Sequence, residues 1–443
     1  MIELTKEINK EILADFNKNL NQDATNNVLK NSVAQVGIFK ASENPEAKTI
    51  LNPSFNVTVD TGKVSNQKHS GRCWLFSALN TLRTEFAVKN NLKDFELSQN
   101  YLSFWDRLEK ANNFYQDILR TADLPVEDRT VNYLFAGPNG DGGYWQFAAN
   151  LIKKYGVVPN YVMPETAVSD NTTEFDDVLG KLLRKNGIEL RKMKADKASE
   201  DQIDQRVQAM LAEVYKLCVY SFGVPPTEFE LSLHTDNDKL IEESKITPKE
   251  FLKRYFTMNV DNYADVINSP QESKKYHQVY AIDTAENVVG GDTTKFLNLP
   301  MERLQELAIE QLKSNSPIWF GNDVLEDSDR KKGYLMGNLY QYDKMFGIDS
   351  QMDKGVRLDY QQAHLSHAMT ITGVNLVNGQ PNRWKVENSW GEDVGVDGYF
   401  VMDQKWFEDY VYDLVIDKKY LTKEELAEYE QEPVVLPAWD PIA

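Results

Sequence analysis

Apolar residues near the N-terminus repeat at the spacing of a helix. They recur every four residues, at Ile8, Ile12, Phe16 and Leu20. A helical face with this period must be covered by something. The first part of the chain is therefore predicted to form an arm that packs against another surface.

A second apolar run with the same period begins at Cys73. It continues through Trp74, Ala78, Leu82 and Phe86, and Asn90 with Asn91 should end it. Residues four apart lie on one face of a helix, so this run predicts a buried helix that starts at the cysteine. Further helices are expected over Leu97–Asn112 and Trp145–Tyr155.

The pattern changes in the second half of the chain. Charged helix formers dominate from Thr166 to Gly223, as in an exposed helical insertion. Three later stretches alternate or are rich in β-branched and aromatic residues, which is typical of strands: His367–Gly373, Asn382–Asn388 and Gly398–Met402. The predicted fold class is therefore α+β.

The length of the chain suits one large elaborated domain or several subdomains. We divide its 443 residues into an N-terminal arm (1–55), a helical lobe (56–165), a mainly helical insertion (166–300), a β-rich lobe (301–430) and a C-terminal tail (431–443).

Composition and charge exclude several classes of protein. Lys and Arg number 49 against 68 Asp and Glu, and the resulting net charge of −19 disfavours nucleic-acid partners. No apolar run reaches the roughly 18 residues of a membrane-spanning helix, and the N-terminus is unlike a secretory signal. A cytoplasmic location is expected. The two cysteines exclude a disulfide framework, and neither a metal nor a cofactor is expected.

A candidate nucleophile lies in the sequence Gln67-Lys68-His69-Ser70-Gly71-Arg72-Cys73-Trp74. A helix N-terminus is partly positive, so it stabilises the thiolate that attacks a carbonyl carbon. The Cys73 N–H and the Gln67 side-chain amide are the predicted donors to the oxyanion of a tetrahedral intermediate. Gly71 is expected to let the backbone approach the substrate. Cys218 has no such neighbours and is expected to be a core residue.

The base must be one of five histidines, His69, His234, His277, His364 and His367. His69 is too close to the nucleophile in a tight loop to approach the sulfur well. His234 and His277 lie in charged, irregular surroundings, and His364 is expected in a loop. Only His367 opens a strand-like run, so it is the predicted base.

Downstream of the base, the sequence Val386-Glu387-Asn388-Ser389-Trp390-Gly391 supplies an orienting amide. The Asn388 oxygen can hold one ring nitrogen of the base without the cost of a buried charge. Trp390 can shield that hydrogen bond from water. The Gly-rich stretch 137–143 is predicted to be a turn, because it lacks the lysine and hydroxyl of a phosphate loop.

At these motifs the chain resembles papain-like cysteine peptidases, and more closely the bleomycin hydrolase and bacterial aminopeptidase C family. The likeness covers nearly the whole chain. It is carried by the nucleophile motif around Cys73, the base His367, the Asn388-Ser389-Trp390-Gly391 motif, the Gly142-Gly143 pair before Trp145, and the ending Leu436-Pro437-Ala438-Trp439-Asp440-Pro441.

The resemblance implies a papain-like fold, in which a helical lobe and an antiparallel β-barrel lobe enclose a cleft. Insertions and an N-terminal arm that builds a homo-hexamer enlarge this fold. It also implies an aminopeptidase that acts on short peptides, with Gly142 and Gly143 binding substrate. In this family the C-terminal carboxylate lies in the cleft and receives the substrate's amino group, which implies the same role for Ala443.

The tail departs from the family pattern. Family tails commonly continue past Trp-Asp-Pro as Met-Gly-Ala-Leu-Ala, whereas this sequence ends at Pro441-Ile442-Ala443. A shorter tail leaves more of the cleft open, so endopeptidase activity on oligopeptides is an alternative prediction. The same three groups could also act as an amide hydrolase or an acyltransferase. An inactive oligomeric scaffold is the alternative outside the enzymes.

Overall fold

The structure, a computed structural model, describes residues 8–92 and 94–442. Its helices are α1 (Lys10–Leu20), α2 (Thr25–Val36), α3 (Ile38–Ser42), α4 (Ala47–Ile50), α5 (Cys73–Asn90), α6 (Gln99–Arg120), α7 (Arg129–Ala136), α8 (Trp145–Tyr155), α9 (Ala167–Asp170), α10 (Thr173–Ala195), α11 (Glu200–Phe222), α12 (Pro248–Tyr255), α13 (Met301–Lys313), α14 (Tyr342–Phe346), α15 (Lys354–Asp359), α16 (Gln404–Tyr410) and α17 (Lys423–Tyr429). Short 3₁₀ turns cover Asn160–Val162, Val260–Asn262 and Lys418–Tyr420.

The strands lie mostly in the second half of the chain. They are β1 (Val57–Thr58), β2 (Phe229–His234), β3 (Leu240–Ile246), β4 (Tyr263–Ile267), β5 (Gln278–Ile282), β6 (Lys295–Asn298), β7 (Ile318–Asn322), β8 (Ser328–Asp329), β9 (Tyr334–Leu335), β10 (His367–Val377), β11 (Gln380–Glu387), β12 (Tyr399–Asp403), β13 (Val411–Asp417) and β14 (Val434–Leu436).

One mixed sheet organises the second half of the chain. Its strand order is β14-β5-β6-β4-β13-β7-β10-β11-β12-β9-β8, with β1 added beside β10, while β2 and β3 form a separate hairpin. Most neighbours are antiparallel, but β4 with β6, β5 with β14 and β9 with β12 run parallel. The long strands β10 and β11 therefore lie side by side in the middle of the sheet.

Two hydrophobic cores fill the molecule. The larger core joins the helices of the first half and includes Trp74, Leu79 and Phe104. The second core covers one face of the sheet, around Phe320, Ile371 and Trp384. Trp319 and Ala368, from two central strands, belong to the larger core, so the helical lobe packs directly against the sheet.

The structure confirms the helix predicted at the cysteine and shows strands within the predicted insertion. Helix α5 begins at Cys73 and ends at Asn90, and Asn91 caps it in the left-handed region, with φ of 53°. Helices α10 and α11 fill the first half of the predicted insertion. Strands β2 to β6 follow these helices within the predicted insertion 166–300, and three of these strands join the main sheet.

The N-terminal arm packs loosely in a single chain. Helices α1 and α2 bury none of their residues, and Phe16 and Val28 are 58% and 69% exposed. The apolar face predicted from the sequence is therefore present and uncovered. Within residues 8–92 and 94–442, no helix combines the length and apolar character needed to cross a bilayer.

Candidate active site

Cys73 stands at the first position of α5, where the backbone N–H groups have no partner within the helix. Burial raises the pKa of its thiol. Hydrogen bonds from the backbone amides of Ala368, Trp74 and Cys73 itself oppose this by lowering the pKa. Burial outweighs these oriented donors, so the thiolate needs a further partner to stabilise it.

His367 is the first residue of β10, and its side chain is 8% exposed. Its Nε2 lies 2.9 Å from Oδ1 of Asn388. The same Oδ1 accepts a hydrogen bond from the Ser389 backbone N–H at 2.8 Å, so this atom is an acceptor and the histidine must donate. The proton then resides on Nε2, which leaves Nδ1 free to take a proton from a thiol.

The environment of His367 disfavours its charged form. Burial lowers the pKa of the imidazole to about 4, and the hydrogen bond to Asn388 only partly opposes this. The ring of Trp390 lies 4.9 Å from the histidine ring, at an interplanar angle of 31°. Burial disfavours an isolated thiolate and an isolated imidazolium alike. The two charged groups are therefore more stable when they form together, as an ion pair.

Antiparallel pairing of β10 with β11 brings the histidine and the asparagine together. Thr370 is opposite Glu387, so the start of one strand meets the end of the other. Asn388 follows β11 directly, and its carboxamide thus reaches the histidine ring. The two residues are 21 positions apart in sequence, and the residues between them form the rest of this hairpin.

Hydrogen bonds tie α5 to the strands that carry these two residues. The Ser77 hydroxyl donates to the Met369 carbonyl at 2.7 Å, and the Trp319 indole N–H donates to the Trp74 carbonyl at 3.0 Å. The Asn80 amide donates to the buried Glu387 carboxylate at 2.9 Å. The nucleophile helix is therefore held against β7, β10 and β11 independently of the loop that precedes it.

Gln67 is 6% exposed and fixed beside the asparagine motif. Its Nε2 donates to the Ser70 carbonyl at 2.6 Å, and its Oε1 accepts from the Ser389 hydroxyl at 2.6 Å. Its backbone N–H also donates to the Ser389 carbonyl, at 2.8 Å. An amide nitrogen carries two hydrogens, so one donor of Gln67 is left over.

A cavity of about 360 Å³ opens between the lobes, lined by Cys73, His367, Gly142 and Gly143 among others. An added Cβ at Gly142 would meet nothing within 4 Å, whereas one at Gly143 would lie 2.8 Å from the Trp74 ring. The first glycine therefore leaves the cleft open, and the second permits close packing on the indole. Gln67 is not among the lining residues.

The tail is anchored beside the cavity. Strand β14 pairs with β5, and Asp440 forms an ion pair with Lys274 at 2.8 Å. Ile442 is 2% exposed and packs with Ile282 and Ala285, which also line the cavity. Ala443, the predicted substrate-binding residue, lies outside the described residues.

Sequence reasoning missed the contact between Asp141 and Gly71. An added Cβ at Gly71 would lie 2.6 Å from the Cβ of Asp141, so the glycine permits close contact with this aspartate. The Gly-rich turn around it gave no local signal for a contact 70 residues away.

The remaining histidines lie in other surroundings. His277 pairs with Glu428 at 3.0 Å, and the backbone N–H of His69 donates to the Asp170 carbonyl at 2.9 Å. His364 lies in the loop before β10, where its backbone N–H contacts Asp323.

A thiol at a helix start and an amide-oriented imidazole on an adjacent strand, set between a helical lobe and a sheet, define a papain-like cysteine peptidase. The comparisons with known proteins give the family. The chain belongs to the Peptidase C1-like family, whose model matches residues 7–443.

Characterised relatives cover almost the full length of this chain. Aminopeptidase C of Lactobacillus helveticus is 42% identical over 442 residues, which cover 99% of this chain and 98% of that protein. Aminopeptidase E of the same organism is 44% identical over 443 residues, covering 100% of this chain and 99% of that protein. The crystal structure of PepW from Lactobacillus rhamnosis is 44% identical, covers 99% of both chains and superposes with a TM-score of 0.98.

Proposed function

We propose that this chain is a cysteine aminopeptidase that hydrolyses short peptides through a thioacyl intermediate. The observation that carries the proposal is the His367–Asn388 hydrogen bond of 2.9 Å, in a cavity that the Cys73 thiol also lines. The full-length relatives named aminopeptidases support the same conclusion.

In the proposed first step, His367 Nδ1 takes the thiol proton and the Cys73 sulfur attacks the carbonyl carbon of the substrate. The resulting oxyanion accepts hydrogen bonds from the Cys73 N–H and from the free N–H of Gln67. The imidazolium then donates its proton to the leaving amine as the C–N bond breaks. Water, deprotonated by the same imidazole, attacks the thioester and releases the acid.

Asn388 and Trp390 support this cycle without contacting the substrate. The asparagine oxygen holds the Nε2–H, so Nδ1 faces the sulfur in both steps. The indole keeps water from competing for that hydrogen bond. Gly142 and Gly143 line the cavity beside Cys73, where their backbone can pair with an extended peptide.

The decisive experiment compares an amino-acyl amide with its N-acetylated twin in wild type and Cys73→Ala. We expect the free-amine substrate to be hydrolysed faster by the wild type. In the variant its turnover should fall by about 10⁵-fold or more, as for other covalent nucleophiles. Full turnover by Cys73→Ala would refute the thiol mechanism, and equal rates for the two substrates would refute the aminopeptidase assignment.

The anchored tail favours exopeptidase over endopeptidase activity. Ile442 fills an apolar pocket against Ile282 and Ala285, and the Lys274–Asp440 ion pair fixes the segment upstream. A tail held in this way should limit access to the end of the cavity that Ile282 and Ala285 line. If Ile442→Gly increases turnover of the N-acetylated substrate and leaves the free-amine substrate unchanged, the tail is the element that excludes internal bonds.

We further propose that the arm mediates a homo-hexamer and that the enzyme works in the cytoplasm. Helices α1 and α2 leave apolar side chains uncovered in a single chain, with Ile8 and Val28 each 69% exposed. Both cysteines are free thiols, which suits a reducing compartment. Light scattering of the full chain should give a molar mass six times that of the protomer. The double variant Phe16→Asp, Val28→Asp should have a lower molar mass. A monomeric wild type would exclude the hexamer.

A further inference from the structure

Asp141 contacts both the nucleophile loop, defined here as residues 67–72, and the first turn of α5. Its carboxylate accepts a hydrogen bond from the Gly71 backbone N–H at 2.8 Å. Its backbone carbonyl accepts another from the Trp74 indole N–H at 2.6 Å. The two contacts lie on either side of Cys73 in the sequence, so one residue fixes both ends of the segment that carries the nucleophile.

The carboxylate is itself held from the opposite side. Arg107 of α6, which is 1% exposed, forms an ion pair with it, and the Thr172 hydroxyl donates to it. Arg107 also pairs with Asp176 at 3.0 Å. A carboxylate that is bound to a buried guanidinium and a hydroxyl has little freedom to move, so its remaining lone pair has a defined direction.

The turn that carries Asp141 is fixed by its main chain as well. Lys110 donates from Nζ to the Gly140 carbonyl at 3.0 Å and to the Gly142 carbonyl at 2.6 Å. A Cβ at Gly71 would lie 2.6 Å from the Asp141 Cβ, so the loop and the turn already lie at their closest approach. The path of the loop is thus set by a rigid neighbour.

The loop and the thiol depend on different anchors. Helix α5 is tied to the sheet through Ser77 and through the Trp74 carbonyl, and these contacts keep the sulfur near the imidazole. The loop carries Gln67, and its last peptide bond, from Arg72 to Cys73, contains the Cys73 N–H; the proposed function assigns both donors to the oxyanion. A shift of the loop alone would therefore move the oxyanion donors and leave the thiol–imidazole pair in place.

We propose that Asp141 is a positioning residue that fixes the nucleophile loop, so that the oxyanion donors point at the reacting carbonyl oxygen. This role rests on the proposed function. Losing one well-placed oxyanion donor costs about 100- to 1,000-fold in turnover, and a donor displaced by a relaxed loop should cost part of that.

The test compares Asp141→Ala with Asp176→Ala. The Asp176 carboxylate contacts the same Arg107, together with Asn139 and Thr172, none of which belongs to the nucleophile loop. Three quantities are measured for each: kcat and KM on an amino-acyl amide, the inhibition constant of an amino-acyl aldehyde, and the rate of alkylation by iodoacetamide. The aldehyde forms a tetrahedral adduct that uses the oxyanion donors, whereas alkylation needs only the thiolate.

For Asp141→Ala we expect kcat to fall about 30- to 100-fold with little change in KM, and aldehyde binding to weaken about 10-fold or more. The alkylation rate should stay within about twofold, because the thiol and imidazole keep their own anchors. Asp176→Ala should stay close to wild type in all three. An equal effect of both substitutions, or a parallel loss of alkylation, would overturn the proposal.

A second variant tests the same role independently, in case Asp141→Ala does not fold. Gly71→Ala places a methyl group against the Asp141 Cβ and pushes the loop from the other side, without removing a charge. It should show the same split between turnover and alkylation, and unchanged aldehyde binding in this variant would count against the proposal. Retained activity in Cys73→Ala would instead refute the proposed function, so the two failures are distinguishable.

Discussion

The two cysteines of this chain lie at opposite ends of their helices. Cys73 begins α5, while Cys218 lies in the last turn of α11 and is completely buried. Burial raises the pKa of Cys73, and hydrogen bonds from the backbone amides of Ala368, Trp74 and Cys73 itself oppose this rise. For Cys218, burial raises the pKa to about 12, and Arg107 opposes it only weakly. We therefore expect the surroundings of each thiol, not the residue type, to separate a reactive cysteine from a structural one.

Substitution of Asn388 should lower the reactivity of the Cys73 thiol. Asn388→Ala deletes the acceptor of the His367 Nε2–H, so the imidazole can rotate or change tautomer. We expect kcat to fall about 10- to 100-fold, within the range of general acid–base effects. The matched control is Asn375→Ala, which removes an exposed amide paired with Asn382 on the same hairpin. Equal kinetics for both variants would contradict the orienting role.

A buried carboxylate should make the region around Cys73 sensitive to pH. Burial raises the pKa of Glu387 to about 7 from its ordinary 4.5, although Arg83 lowers it. Between pH 4.5 and 7, Glu387 is protonated in the folded state and ionised in the unfolded chain. The contribution of Glu387 to the free energy of unfolding is therefore fully present below pH 4.5 and is lost as the pH rises through 7. Relative to Glu387→Gln, the wild type should lose up to about 3 kcal/mol of unfolding free energy across that window.

Urea unfolding of both proteins at pH 5 and pH 8 measures this difference. Glutamine keeps an acceptor for Asn80 but has no charge to bury. A constant difference between the two proteins at both pH values would show that Glu387 does not titrate in the folded state.

The smallest effect is expected at the second cysteine. Cys218→Ala leaves a small cavity in the helical core and should cost about 1 kcal/mol of stability. Its kcat and KM should equal those of the wild type, because no part of this residue lines the cleft. A marked loss of turnover would break the contrast between the two thiols.

Some of this arrangement could be read from the sequence because it is local. A four-residue apolar repeat and a terminal asparagine pair predicted both ends of α5, and the structure confirms them. The papain-like fold is confirmed by the match to PepW. The strand-like run after His367 is confirmed as β10, which begins at that residue.

Other parts could not be read because they depend on long-range packing. Strands β4, β5 and β6 are buried on both faces and short, so they show no alternation, and charged loops separate them. The Asp141 contact joins a turn to a loop 70 residues away. The partner of a turn aspartate is chosen by the approach of two segments in space, which no local pattern records.

The central claim is that folding makes Cys73, through His367, a nucleophile that Cys218 is not. The most direct measurement is labelling of the full chain with an epoxide thiol reagent, followed by peptide mapping at several times. One adduct per chain should form at Cys73 far faster than at Cys218, and His367→Ala should abolish that rate difference. Equal labelling of the two cysteines in the wild type, or fast labelling of Cys73 that survives His367→Ala, would contradict the account.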